Sequence, residues 1–402
     1  MRIALATVGT TGDVRPFAIL ARRLVERGHQ VTAISWPVHR AALGQPGVHV
    51  EVAGPHADLD RIAAVAADAA QRAPLEQVAV LRDFHLADGE AHYRRLRELL
   101  SGHDLVLLHS IHSLAHAVVI DLGLPWATAV FDPVLLPTAS APPPGMPYLG
   151  PGNRLLWGML DRMLGRTGRP LDELLQRAGS AQRGLPLFRA RSPRLHLVAC
   201  SPAIMRVPPD LPSATRVTGA WLDRTPPASL PADVEAFVAD GPAPVVITFG
   251  SMGGGATDPV IEEAIAAILR GGRRVVLQGG QGADSPSLLR IGPIDHRALF
   301  PRAALVVHHG GAGTIHAVAA AGVPSVVVPH VGDQRYWADR ANRLGVAPAP
   351  LLARGLTADA LAQAVLGAAA DPGLRQAAAA LAEVVAAEDG VEAATALLER
   401  SR

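Results

Sequence analysis

Short continuous apolar runs alternate along the chain with longer stretches whose apolar residues recur at helical spacing. Arg2 to Val8, Gln30 to Ile34, Asp104 to Leu108 and Leu124 to Phe131 read as buried strands, because continuous β-branched runs fit parallel strands covered on both faces. Val14 to Arg27 predicts an amphipathic helix stopped by Gly28, and a short strand from Val48 leads into alanine- and arginine-rich helices up to Leu100. A further strand is expected at Leu195 to Ala199. Periodicity stops in the Pro-, Ser- and Thr-rich run Asp223 to Pro231 and then restarts. Strands are expected at Pro244 to Phe249, Arg273 to Gln278, Leu289 to Ile291, Leu305 to Val307 and Ser325 to Val328. Helices are expected at Asp258 to Leu269, Thr314 to Ala321, Ala358 to Ala370, Leu374 to Ala387 and Val391 to Arg400. The pattern predicts an α/β protein of two doubly wound, Rossmann-like domains with strand ends facing across a cleft. Boundaries are placed at 1–222, a linker at 223–240, a second domain at 241–385, and a terminal helical segment at 386–402.

Length and composition agree with two soluble domains: 402 residues, 49% hydrophobic, 37 basic against 36 acidic side chains. A balanced charge predicts no nucleic-acid surface. The apolar runs are too short to span a bilayer and Met1 leads directly into a strand, so no stable membrane insertion and a cytoplasmic location are expected. The single cysteine, Cys200, excludes intrachain disulfides and cysteine-built zinc sites. All 37 basic residues are arginine, which excludes chemistry that needs a lysine amine, such as Walker-type phosphate loops and Schiff-base enzymes. Phosphate binding here must rely on backbone N–H groups, histidine or arginine.

Such a site is predicted in Ala304 to Asn342. The turn Gly310-Gly311-Ala312-Gly313 ends a strand and opens a helix, where unpaired N–H groups and the positive dipole end attract an anion. His309 adds a hydrogen bond or a charge. Past the next strand, Asp333 and Gln334 supply a carboxylate and an amide that suit neighbouring sugar hydroxyls. A phosphate and a polyol together point to a nucleotide sugar.

The turn Gly9 to Asp13 lacks the third glycine of a dinucleotide fingerprint, and the second strand ends in Ser35 and Trp36 without an acid for a ribose. This argues against a nicotinamide reductase. Asp13 either faces the cleft as a base or is the N-cap of the following helix, roles that are compatible. Asp58 and Asp60 imitate a metal-binding DxD pair but sit where a helix start favours acids. His109, His112 and His116 lack a carboxylate or cysteine to complete a metal site and read as two cleft-lining residues and one surface histidine.

HHGGAGT, GVPSVVVP and GDQRYWADR resemble the donor-binding signature of family 1 glycosyltransferases, in particular the bacterial type that decorates antibiotics and other natural products. The resemblance spans nearly the whole chain and implies the GT-B architecture, with the final helix crossing back to brace the first domain. It implies that His309, Gly311, Gly313 and Thr314 hold the diphosphate and that Asp333 and Gln334 read the sugar. His308 matches a less directly involved histidine. Ser251, in the FGS-like segment, becomes a diphosphate or ribose contact, and Gly292-Pro293-Ile294 resembles the segment that meets the nucleobase, with Ile294 assigned to it. The N-terminal Gly-Thr-Thr-Gly-Asp stretch resembles the family's base motif, which puts the base on Asp13 with Thr10 beside it. His109 is expected to assist, and His112, Phe131 and Asp132 to border the acceptor. The implied activity is inverting, metal-independent transfer from a UDP- or dTDP-sugar to a hydroxyl of a small apolar acceptor, by a monomer or homodimer with no cofactor besides the co-substrate. A sugar-nucleotide epimerase of the same fold and a non-catalytic nucleotide-sugar-binding auxiliary protein are the alternatives.

Overall fold

The computed structural model describes residues 1–402 apart from 71, 73, 144–145, 147, 250–258, 281 and 402. The chain divides into two compact units, one of Met1–Pro202, Val207–Asp223 and Asp389–Arg402, the other of Ala203–Arg206 and Arg224–Glu388.

The first unit is built on seven strands: β1 Arg2–Ala6, β2 Gln30–Ser35, β3 Val48–Val52, β4 Leu105–His109, β5 Trp126–Val130, β6 His196–Val198 and β7 Thr215–Val217. Their order is β3-β2-β1-β4-β5-β6-β7 and every pairing is parallel. The burial pattern explains this arrangement: all five residues of β4 and four of five in β1 are buried, as a strand covered on both faces requires. The helix Thr11–Glu26 covers one face with Val14, Phe17, Ala18, Leu20, Ala21 and Leu24, an i, i+3, i+4 stripe. The terminal helix Gly390–Arg400 packs on this same helix. Glu392 accepts from Arg23 at 2.7 Å, Glu399 accepts from Arg27 at 2.8 Å, and Val391, Ala394 and Leu398 are buried.

The second unit holds β8 Val245–Thr248, β9 Val275–Gln278, β10 Leu288–Ile291, β11 Leu305–His308 and β12 Ser325–Val327, in the order β10-β9-β8-β11-β12 and again wholly parallel. Its sheet is covered on one side by the helices Pro259–Arg270 and Ala358–Ala370, whose Ile261, Ile265, Leu361 and Val365 join Ile247 and Val307 in one core.

One expectation needs correction. The stretch 223–240 is not all linker: Ala232–Ala239 is a helix whose Val234 and Val238 enter the core of the second unit, and the division between units falls at Asp223 and Arg224. Asp233 and Glu235 in its first turn favour its start, a signal overshadowed by the prolines before it. The pair Asp58 and Asp60 lies at a helix start, where Asp58 Oδ1 accepts from the Arg61 N–H at 2.7 Å.

Candidate active site

In an open parallel sheet the chain leaves neighbouring strands in opposite directions at one point, and a crevice opens there beyond the carboxyl ends. The strand orders put that point between β1 and β4 in the first unit and between β8 and β11 in the second. Asp13 follows β1 and His109 ends β4; the His309 turn follows β11.

In the first unit, Asp13 is not the N-cap of its helix. Thr10 holds that position, and Asp13 stands three residues later in the first turn. Its Oδ2 accepts from the Thr10 N–H at 2.8 Å and from the Thr10 hydroxyl at 2.9 Å, a fixed orientation of the kind a capping box provides. Gly9 makes room for it. At φ +118, a Cβ on Gly9 would lie 2.4 Å from Asp13 Oδ2, so both the backbone and the contact demand glycine. The other oxygen, Oδ1, lies 3.9 Å from His109 Nε2, and the Asp13 side chain is 30% exposed.

His109 is itself buried, with its ring against Phe17 and Phe131 at 5.8 and 5.2 Å between centroids. Nδ1 faces the Val8 carbonyl at 3.2 Å and therefore donates to it. Burial holds the His109 pKa below the ordinary value against the pull of the Asp13 carboxylate and the Val8 carbonyl. The neutral ring thus turns the lone pair of Nε2 toward Asp13 Oδ1. Two proton acceptors thus face each other 3.9 Å apart.

The other sequence-nominated residues of this unit are also buried or held. His112 caps the helix Ser113–Asp121, its Nδ1 accepting from the Ala115 N–H at 3.5 Å, and lines a cavity with room for about one water among Trp36, His85, His92 and Phe188. Phe131 packs on His109, and Asp132 accepts from the Val134 N–H at 2.7 Å to start a short 3-10 turn. His116, expected at the surface, is buried against Trp126 at 4.9 Å, because its helix turns that side toward the sheet. Among the described residues no three His, Cys, Asp or Glu side chains converge as metal ligands. His39, His85 and His92 were not nominated by sequence. His39 Nε2 donates to the Gly9 carbonyl at 2.9 Å and so supports the Asp13 turn; its place just past β2 was the available clue.

In the second unit the helix after β11 is Ala312–Ala321, two residues earlier than its expected start. Its first intrahelical bond runs from the Ile315 N–H to the Gly311 carbonyl, so the N–H groups of Ala312, Gly313 and Thr314 precede the ladder. A Cβ added to Gly313 would meet nothing within 4 Å, whereas one on Gly311 would lie 2.5 Å from His309 Nε2 and one on Gly310 would lie 2.8 Å from Val327. The turn is packed where it supports His309 and open at Gly313, beside the first-turn N–H groups. Burial lowers the His309 pKa to about 4, with His330 and His296 adding to the effect, and its Nδ1 is buried without a partner among the described residues. His308 is fully buried, and its Nδ1 accepts from the Gly310 N–H at 3.0 Å, a role in shaping the turn.

Asp333 and Gln334 are partly committed to their own loop. Asp333 Oδ2 accepts from the Trp337 indole at 2.7 Å. Gln334 Oε1 accepts from the His330 and Val331 N–H groups at 2.8 and 3.1 Å, which leaves the amide donors for other contacts. Ile294 is half-buried after β10 and packs on the core of this unit. Ser251 lies outside the described residues.

The chain matches, over residues 275–399, the family model described as erythromycin biosynthesis protein CIII-like, C-terminal domain. It is 34% identical to O-mycaminosyltylonolide 6-deoxyallosyltransferase of Streptomyces fradiae, over 99% of this chain and 97% of that one. Among solved structures, the glycosyltransferase of kitacinnamycin superposes with a TM-score of 0.74 at 22% identity, covering 100% of this chain and 98% of the other. The spinosyn rhamnosyltransferase complexed with thymidine diphosphate gives 0.70 at 18% identity, with 100% of each chain covered. These likenesses, on two parallel α/β units with strand orders that open a crevice in each, make the chain a glycosyltransferase with the GT-B fold. It belongs to the family 1 glycosyltransferases of the antibiotic and natural-product type.

Proposed function

We propose that the protein moves a sugar from a dTDP- or UDP-sugar to a hydroxyl of a small apolar acceptor in one displacement, with inversion at the anomeric carbon and without a metal ion. The observation that carries transfer to an acceptor is Asp13, with one oxygen fixed by Thr10 and the other 3.9 Å from the His109 lone-pair nitrogen. An acceptor hydroxyl at this carboxylate oxygen gives its proton to Asp13 as its oxygen bonds to the anomeric carbon. The bond to the diphosphate oxygen breaks, and its electron pair leaves with the diphosphate. His109 Nε2, 3.9 Å from Asp13 Oδ1, is the second proton acceptor beside Asp13 and offers the proton taken by the carboxylate a second resting place.

The departing diphosphate gains negative charge. The first-turn N–H groups of Ala312, Gly313 and Thr314 and the His309 ring supply the electrostatic counterpart, the role a metal ion fills elsewhere. The Gln334 amide donors and the Asp333 carboxylate orient the sugar. The thymidine diphosphate held by the spinosyn rhamnosyltransferase supports a dTDP-linked donor ahead of a UDP-linked one.

The test incubates the protein with α-linked dTDP-glucose or UDP-glucose, with and without a panel of phenols and aliphatic alcohols, in the presence of a chelator. Diphosphate release that depends on the acceptor and yields a β-glycoside by NMR is the expected result. Conversion of the donor to an epimer without acceptor, an α-linked product, or loss of transfer on chelation contradicts the corresponding part.

A further inference from the structure

The helix Asn153–Thr167 is held to the first unit by its inner side. Asn153 and Trp157 are buried, the Asn153 amide donates to the Ala139 carbonyl at 2.8 Å, and the Trp157 indole donates to the Ala141 carbonyl at 2.9 Å. At the far end Arg82 donates to the Thr167 carbonyl at 2.9 Å. The outward stripe, spaced i, i+4, i+7, i+11, reads Leu155, Met159, Arg162, Arg166.

This outward side is unusually apolar. Leu155 is 75% exposed and Met159 51%, and just before the helix Tyr148 is 67% and Leu149 54% exposed. Those four are half of the eight large exposed apolar side chains among the described residues, gathered within twelve positions. Leu149 is tied to the first turn, its N–H donating to Asn153 Oδ1 at 2.9 Å. Clustered exposed apolar groups mark a surface that another phase or molecule covers.

Charge selects the occupant. Arg162 and Arg166 are exposed, Arg154 is exposed but lies 3.8 Å from Asp210 Oδ2, and the one acid of the helix, Asp161, is paired with the buried Arg189. Arg162 and Arg166 make no ion pair among the described residues. In a chain whose net charge is only +1, this helix is a local positive stripe beside an apolar tip. A second copy meeting the same face by two-fold symmetry would oppose like charges. Guanidinium groups match phosphate oxygens, while leucine, methionine and tyrosine partition to the boundary between headgroup and acyl chain.

We propose that this face docks the protein peripherally on an anionic lipid surface, with the four apolar side chains entering the boundary and Arg162 and Arg166 on headgroup phosphates. The helix lies in the plane of the surface and does not cross it, since its inner side stays packed.

The test is co-sedimentation of the full chain with phosphatidylglycerol/phosphatidylcholine vesicles and with pure phosphatidylcholine vesicles, at low and high salt. Wild type is expected on the anionic vesicles, weaker by about tenfold or more on neutral ones, and released by salt. The double variants Leu155→Ser/Met159→Ser and Arg162→Glu/Arg166→Glu are each expected to lose about tenfold or more, with melting temperatures near that of wild type. Two variants of different chemistry ensure that misfolding of one leaves the other decisive. Failure of wild type to bind anionic vesicles, equal binding to both vesicle types, or full binding by a folded variant overturns the proposal. So does a concentration-dependent dimer abolished by the same substitutions, which assigns the face to a second copy. Glycosyl transfer assayed without lipid reports on the enzymatic reading separately.

Discussion

His309 is neutral in the unliganded protein, because burial lowers its pKa to about 4. A bound diphosphate acts in the opposite sense and favours the imidazolium. Donor binding should therefore take up protons, and affinity should rise as pH falls from neutrality toward the free-protein value. Calorimetry of dTDP-glucose in buffers of different ionisation enthalpy measures the uptake directly. His309→Ala is expected to abolish it and to weaken binding by roughly 10- to 100-fold, the range for a hydrogen bond to a charged group. Both this residue and Asp13 were legible from sequence because each stands beside a glycine turn at a strand end. His39, His85 and His92 were not, since they reach the Asp13 turn and its neighbouring cavity only through tertiary packing of β2 and the helices Pro74–His85 and Gly89–Leu100.

The helix after β11 separates stability from binding. Gly313 stands in its first turn with helical neighbours and open space where a side chain would go. Gly313→Ala is expected to leave the fold intact or stabilise it by about 0.5–1 kcal/mol, as alanine does in helices, while a methyl group beside the exposed N–H groups weakens diphosphate binding. Thermal unfolding and titration of the same sample check both signs; unchanged donor affinity removes the anion from this turn. Most elements could be read from their period, and the limits show what period cannot supply. β7, Thr215–Val217, has only one buried residue in three and belongs to the sheet through pairing with β6. The helix Ala232–Ala239 was hidden by the prolines before it, although Val234, Phe237 and Val238 follow helical spacing.

Across the whole chain, buried histidines set the response to acid. Burial lowers the pKa of His85 to about 3, of His92, His116 and His196 to about 4, and of His308 to about 3, all from 6.5. A depressed folded pKa means that the unfolded chain binds more protons below 6.5. Stability is complete above that value and falls as pH drops through the window from about 6.5 to 3–4, by on the order of 1 kcal/mol per pH unit for each histidine. Melting temperature against pH should show a steep decline below 6.5, shallower in His116→Leu; a flat profile from 7 to 5 contradicts the burial of neutral imidazoles. The two-unit plan was legible as two rounds of strand and helix, but strand order was not. The crevice between β1 and β4 depends on which strands pair, a long-range property that local spacing does not encode.

The most direct test of the proposed chemistry is Asp13→Asn, assayed in single turnover beside calorimetric titration with the donor. The amide keeps the size of the side chain and retains one oxygen to accept from Thr10, but it cannot take the proton of an acceptor hydroxyl. Transfer should fall by about 10²- to 10⁴-fold while donor affinity stays within about twofold of wild type. Wild-type turnover in the variant would remove Asp13 as the base, and an equal loss of donor binding would make it a structural residue of the turn.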